Sequence, residues 1–256
     1  MEDEKLPVTD HLEELRWRLI KCLIALAVGF IVSYAFVKPI FNFFVSPLVT
    51  VMPPGSRLIY TSLPEAFITN LKLSFFAGLI LALPVIFYQL WKFIMPGLYE
   101  RERRYVIPFV LVATVFFILG VGFAFFVVFP FGFRFFLGYS SESISAFPTL
   151  KEYLSFATSL LLAFGVIFEL PVVIFFLAKI GIVNHNMLKR QRKYALLINS
   201  IVSAVITPPD VISMLFMMVP LQVLYELSIW VAYFVRKGKT VEQPEEEEEA
   251  LPGEPE

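Results

Sequence analysis

Residues 106–133 read VIPFVLVATVFFILGVGFAFFVVFPFGF, with no Asp, Glu, Lys or Arg among them. A helix needs about 20 predominantly apolar residues to cross a hydrocarbon core about 30 Å thick, because it rises 1.5 Å per residue. The stretch therefore reads as a membrane span over about 106–129, with Pro130 marking its exit. The rest of the chain is of the same character. Of 256 residues, 58% are hydrophobic and 17% charged, against roughly 25% charged in a soluble domain, and the mean hydropathy is +0.75. This excludes an ordinary soluble enzyme and, with a formal net charge of -1, a nucleic-acid binder. Cys22 is the only cysteine, and His11 and His185 are the only histidines. No disulfide framework, metal cluster or cofactor is expected from such a set.

Working outward from residue 106, the apolar runs predict six transmembrane helices at about 19–37, 71–93, 106–129, 153–178, 194–206 and 211–235. The fold class is an all-α polytopic bundle, one integral membrane domain over residues 1–235. The fifth run is the short one, about 13 residues or about 20 Å, and the lipid around it is expected to be thinned. Positive charge argues that it is a span, because Lys and Arg in short loops resist translocation. With six spans, one side collects Lys5, Arg16, Arg18 and Lys21, then Lys92, Arg101, Arg103 and Arg104. It also collects Lys179, Lys189, Arg190, Arg192 and Lys193, and finally Arg236, Lys237 and Lys239. The other side holds Lys38, Arg57, Lys72, Arg134 and Lys151. Both termini are thus expected in the cytoplasm. The acidic first residues and the lack of a small-residue cleavage site after the first apolar run argue against a cleavable signal peptide. Residues 236–256, with Glu245–Glu249 and three prolines but no aromatic residue, are expected to form an acidic, disordered cytoplasmic tail.

Carboxylates inside the spans need a reason, since burying one unpaired costs a few kcal/mol or more. Glu169 precedes Lys179, and Glu226 precedes Arg236, by about 15 Å of helix, so both are expected near mid-membrane. Each either fixes packing through a hydrogen bond to a neighbouring helix or lines a polar groove for a substrate or partner. Pro171 frees a backbone carbonyl and kinks the helix beside Glu169. Ahead of the first span, Asp10 reads as an N-cap with Glu13 at N3. Val8, Leu12, Leu15 and Leu19 share one face, while His11, Glu14 and Arg18 share another. The plain reading of Glu14 and Arg18 is an intrahelical pair contributing only tenths of a kcal/mol, and Glu100 with Arg104 admits the same reading. No HExxH, GxSxG or phosphate-binding loop occurs.

Four segments taken together resemble the TatC family, the multi-spanning core subunit of the twin-arginine protein translocase. They are His11-Leu12-x-Glu14-Leu15-Arg16, Leu98-Tyr99-x-x-Glu102-Arg103-Arg104, Phe164-Gly165-x-x-Phe168-Glu169-x-Pro171 and Thr207-Pro208-Pro209-Asp210. The resemblance covers roughly residues 8–235 and includes the six-span topology and the short fifth span. It implies a concave, glove-like bundle in a bacterial-type cytoplasmic (inner) membrane. It further implies a receptor for folded precursors whose signal peptides carry paired arginines, working with single-span partner subunits of the TatA and TatB types. Transport would draw on the proton-motive force, and the receptor would self-associate in a larger complex. By position, Glu14 and Glu102 would bind the signal arginines, within a patch that includes His11, Arg16, Arg103 and Arg104. A carboxylate can take two parallel bonds from a guanidinium fork. Phe93 and Leu98 would pack the apolar part of the signal. Glu169 and Pro171 match the intramembrane polar face, to which Glu226 adds a carboxylate. Pro208, Pro209 and Asp210 resemble the surface that meets the partner subunits, although Met214 stands where some members carry a polar residue.

Two other classes compete. A proton-coupled secondary transporter would also bury carboxylates, but paired discontinuous helices are not legible. An intramembrane protease needs a nucleophile with a base or two aspartates, and the aspartates here are Asp3, Asp10 and Asp210.

Overall fold

The computed structural model describes residues 8–53, 58–94, 106–138, 148–207 and 211–248. Among them, all regular structure is helical apart from one isolated bridge between Ile59 and Thr149. Hydrocarbon offers no partner to a backbone N–H or C=O, and a helix satisfies both within itself. Among the described residues, five helical stretches are long and apolar enough to cross a membrane: Leu12–Ala35, Glu65–Phe93, Val106–Leu137, Leu150–Lys179 and Val211–Val235. The helices group into two compact units, Met1–Phe164 and Gly165–Glu256.

The first unit is built around the antiparallel pair α1 (Val8–Ala35) and α3 (Glu65–Ile94). Their backbones touch where Gly29 meets Gly78: a Cβ added to Gly29 would lie 2.5 Å from the Gly78 carbonyl oxygen, and one on Gly78 would lie 2.5 Å from the Phe30 nitrogen. One turn further along the crossing, the buried residues are again small, Ser33 and Ser74. Lipid tails are as apolar as leucine, so helices in a bilayer associate through close packing of this kind rather than through the hydrophobic effect.

Between the two helices lies α2 (Val37–Val51), an apolar helix that buries Phe44, Val45 and Leu48 and to which the apolar periodicity gave no element. Against it pack α4 (Val106–Phe123), a π-helical turn at Ala124–Val128 and α5 (Phe129–Leu137). The helix thus continues past Pro130, where an exit was expected. A proline ring collides with the carbonyl four residues earlier in a regular α-helix, and the wider π turn just ahead of it relieves that collision. A buried aromatic cluster forms here: Phe129 meets Phe133 at 5.2 Å and Phe133 meets Tyr153 at 5.5 Å, while the exposed Phe43 stacks on the buried Phe125 at 4.7 Å. Tyr153, near the start of α6 (Leu150–Phe168), donates its hydroxyl hydrogen to the Phe44 carbonyl at 2.6 Å.

A single carboxylate ties the starts of α3 and α6 together. Glu65 accepts from Thr61 N at 2.8 Å, Thr61 Oγ1 at 3.0 Å and Ser62 N at 3.3 Å through Oε2, and from Lys151 N at 2.9 Å through Oε1. The adjoining bridge adds Leu150 N donating to Ile59 O at 2.8 Å. Donors at two helix starts lack intrahelical acceptors, and one carboxylate serves both.

The second unit holds α7 (Leu170–Lys179), α8 (His185–Arg190), α9 (Arg192–Ile206) and α10 (Val211–Glu248). The expected fifth span is α9, 15 residues long. Leu188, Ile229 and Ala232 form a small core with Ile174, Ala178, Val183 and Tyr225, which seats α7 and α8 on α10. The backbone of α10 stays helical to Glu248, where composition predicted a disordered tail from residue 236. A helix already nucleated by a span extends with one new hydrogen bond per residue, and glutamate is a good helix former.

The glycine crossing makes a prediction with an internal control. Gly29→Ala and Gly78→Ala should each destabilise the protein by about 1–3 kcal/mol through overpacking. Gly122→Ala, whose added Cβ would meet nothing within 4 Å, should not. Chemical unfolding in detergent micelles, followed by circular dichroism, measures all three.

Candidate functional site

At one end of the α1–α3 pair, Glu14 accepts hydrogen bonds from Arg18 through one carboxylate oxygen, from Nε at 3.1 Å and also from Nη2. The side chains are 28% and 12% exposed respectively, so this is a partly desolvated pair rather than a fully solvated one. The intrahelical reading of Glu14 and Arg18 is therefore correct as geometry. In that geometry two nitrogens of one guanidinium converge on a single Glu14 oxygen. Arg16, two residues on from Glu14, lies exposed with its guanidinium carbon 5.6 Å from the Trp17 ring centroid. His11 is placed on α1 by its backbone alone.

Phe93 shares this end of the unit. Glu14 and Phe93 each lie about 15 residues, or about 22 Å along the helix, from the Gly29–Gly78 crossing, in opposite chain directions on antiparallel helices. The crossing thus sets a carboxylate and a half-buried aromatic ring at one level. Beside Phe93, Trp91 is buried against Phe109 with centroids 3.8 Å apart, which anchors the end of α3 to α4. Leu98, Glu102, Arg103 and Arg104 lie outside the described residues.

In the second unit the two intramembrane carboxylates have different surroundings. Glu169 occupies the break between α6 and α7, with Pro171 in the first turn of α7, beside which a kink was expected. Glu169 is half-buried and its Oε1 is fully buried. Glu226 instead pairs with Arg192 at 2.5 Å across α9 and α10. Depth estimates from sequence put the two carboxyls level.

The Arg192–Glu226 pair heads a polar seam between α9 and α10 that the sequence reading missed. Asn199 Nδ2 donates to Gln222 Oε1 at 3.0 Å, and Ser200 Oγ lies 3.1 Å from the Met218 sulfur. Ser203 is fully buried, and Thr207 donates to its carbonyl at 2.8 Å. The signal was present as spacing: Met214, Met218, Gln222 and Glu226 recur every four residues on one stripe of α10. Met214 is half-buried. Pro208, Pro209 and Asp210 lie outside the described residues. Among the described residues no group of three or more His, Cys, Asp or Glu side chains is placed to hold a metal.

Comparison with known proteins gives these features a context. Residues 10–220 match the family described as Sec-independent protein translocase protein (TatC). The chain is 49% identical over 244 residues to the Sec-independent protein translocase protein TatC of Desulforapulum autotrophicum, covering 95% of this chain and 90% of that one. It is 38% identical over 242 residues to the protein of the same name from Escherichia coli K12, covering 94% of each. Among solved structures it resembles the crystal structure of the twin arginine translocase receptor TatC, with a TM-score of 0.79, 38% identity and coverage of 88% of this chain and 99% of that one. The six-span all-helical architecture and the multi-pass membrane character agree with that likeness, and this is a protein-transport family rather than an enzyme family. The chain belongs to the TatC family of Sec-independent protein translocase proteins.

Proposed function

We propose that this chain recognises twin-arginine signal peptides of folded precursors at its cytoplasmic face, with Glu14 and Glu102 as the carboxylates that take the two arginines. The observation that carries the reading is the Glu14 carboxylate, already partly desolvated and holding a guanidinium, at the level of Phe93. An incoming arginine would exchange with Arg18 on the same oxygen, so the site offers a carboxylate whose desolvation has been met in part by folding. Phe93 and Leu98 would receive the apolar part of the signal, with His11, Arg16, Arg103 and Arg104 completing the patch. The Lys and Arg distribution supports cytoplasmic termini in a bacterial-type inner membrane. Glu169, Pro171, Glu226, Met214 and the Pro208-Pro209-Asp210 turn would meet the TatA- and TatB-type single-span partners during export driven by the proton-motive force. Self-association of the receptor belongs to the same reading.

Glu14→Ala and Glu102→Ala should each weaken precursor binding by roughly ten-fold to over a hundred-fold, since a charge-assisted hydrogen bond contributes about 1.5–3 kcal/mol. Glu14→Asp should be milder because it keeps the charge and shortens the reach. Titration of detergent-solubilised protein with a fluorescent signal peptide measures this. Unchanged affinity in both alanine variants removes the assignment.

For Glu169 the proposed role is a hydrogen bond to a partner-subunit helix within the bilayer. Glu169→Gln keeps the hydrogen-bonding shape and should retain most export of a folded reporter, whereas Glu169→Ala should lose it. Equal failure of both variants would mean that ionisation is required. Normal export by Glu169→Ala would leave the residue a packing role only.

A further inference from the structure

The contacts of α8 and α9 step down α10 in a fixed order. The His185 ring meets Tyr233 edge-on at 5.4 Å, and the Leu188 carbonyl accepts from Tyr225 Oη at 2.8 Å while its side chain packs on Ile229 and Ala232. Arg192 then reaches Glu226, and Asn199 reaches Gln222. The basic run Lys189, Arg190, Arg192 and Lys193, all exposed, is therefore held beside residues 225–229 of α10. The apolar part of α10 continues to Val235, about 9–15 Å further along the axis at 1.5 Å per residue. Trp230 and Phe234, 61% and 62% exposed, stand on that overhanging part. Trp230 is one turn beyond Glu226 on the same stripe.

A cluster of cations recessed below the apolar end of a neighbouring span cannot rest against bare hydrocarbon. Its internal compensation is small: Arg192 is held by Glu226, and among the described residues Lys189, Arg190 and Lys193 form no ion pair. Lys193 lies over its own neighbour, the Tyr194 ring, at 5.1 Å. Since the whole chain carries a formal charge of -1, attraction for an anion here is local rather than a property of the protein. The recess supplies both halves of a phospholipid's requirements, cations for the phosphate and the exposed flank of Leu227, Trp230 and Phe234 for the acyl chains. We propose that Lys189, Arg190 and Lys193 form a binding site for the phosphate headgroups of anionic phospholipids in the adjoining leaflet. A basic pocket between spans is the usual form of such a site. The proposal does not depend on signal-peptide recognition.

The test uses the full chain in phosphatidylcholine vesicles, with Trp17→Phe and Trp91→Phe leaving Trp230 as the reporter. Brominated phosphatidylglycerol should quench Trp230 more strongly than brominated phosphatidylcholine at the same mole fraction. Each cation replaced, as in Lys189→Gln, Arg190→Gln or Lys193→Gln, should reduce that preference by about five-fold, and the triple variant should abolish it. Arg192 is left intact to preserve its pair with Glu226. The three side chains are exposed, so the single variants suffice should the triple one fail to fold. Equal quenching by the two lipids, or an undiminished preference in the variants, overturns the proposal. So does loss of the preference on adding inorganic phosphate at constant ionic strength, which would assign the site to a free anion.

Discussion

A carboxylate at or inside the edge of a hydrocarbon layer must have a partner, and in this protein the partner found decides the structural role. Glu65 takes four donors from two helix starts and joins α3 to α6. Glu226 takes Arg192 and fixes the level at which the short α9 lies against α10. Glu14 takes Arg18 from its own helix, a pairing that joins no two elements. That pairing with Arg18 is the one an incoming guanidinium would replace in the proposed recognition of a signal peptide.

The remaining architecture keeps such carboxylates at defined levels. The Gly29–Gly78 contact fixes the register of α1 on α3, and with it the relative height of Glu14 and Phe93. The aromatic cluster and the Tyr153–Phe44 hydrogen bond hold the other end of the same unit. In the second unit the small core around Leu188, Ile229 and Ala232 does the corresponding work for α7, α8 and α10. Close approach of small residues and interdigitated rings substitute for the hydrophobic driving force that lipid removes.

Five of the six apolar runs were legible because bilayer thickness imposes a length that few other structures need, and the short fifth was read from the positive charge around it. The break at Glu169 was legible too, since Pro171 removes a donor whatever its surroundings. By contrast, α2 was missed because its buried face is short and its sequence contains both Pro39 and Pro47. The continuation of the helix past Pro130 was not foreseen because a π turn absorbs the proline, an adjustment that sequence periodicity does not report. Arg192, the partner of Glu226, was not foreseen because it lies on another helix. The polar seam of α9 and α10 escaped for the same reason: a pairing such as Asn199 with Gln222 exists only once register is fixed. Of the candidate recognition patch, the helical spacing of Glu14 and Arg18 was readable from periodicity, whereas the roles given to Glu14 and Glu102 came from resemblance to the family.

The central claim is that the carboxylates at positions 14 and 102 face the arginine pair of a precursor. The most direct measurement places a photo-reactive amino acid at either position in the full chain in membranes. Crosslinking is then compared between a precursor with its Arg-Arg pair and the same precursor with Lys-Lys. The account predicts crosslinks from both positions to residues flanking the arginine pair, and their loss with Lys-Lys, because an ammonium does not reproduce the bidentate fork. Crosslinks of equal strength to both precursors, or none from either position, would contradict it.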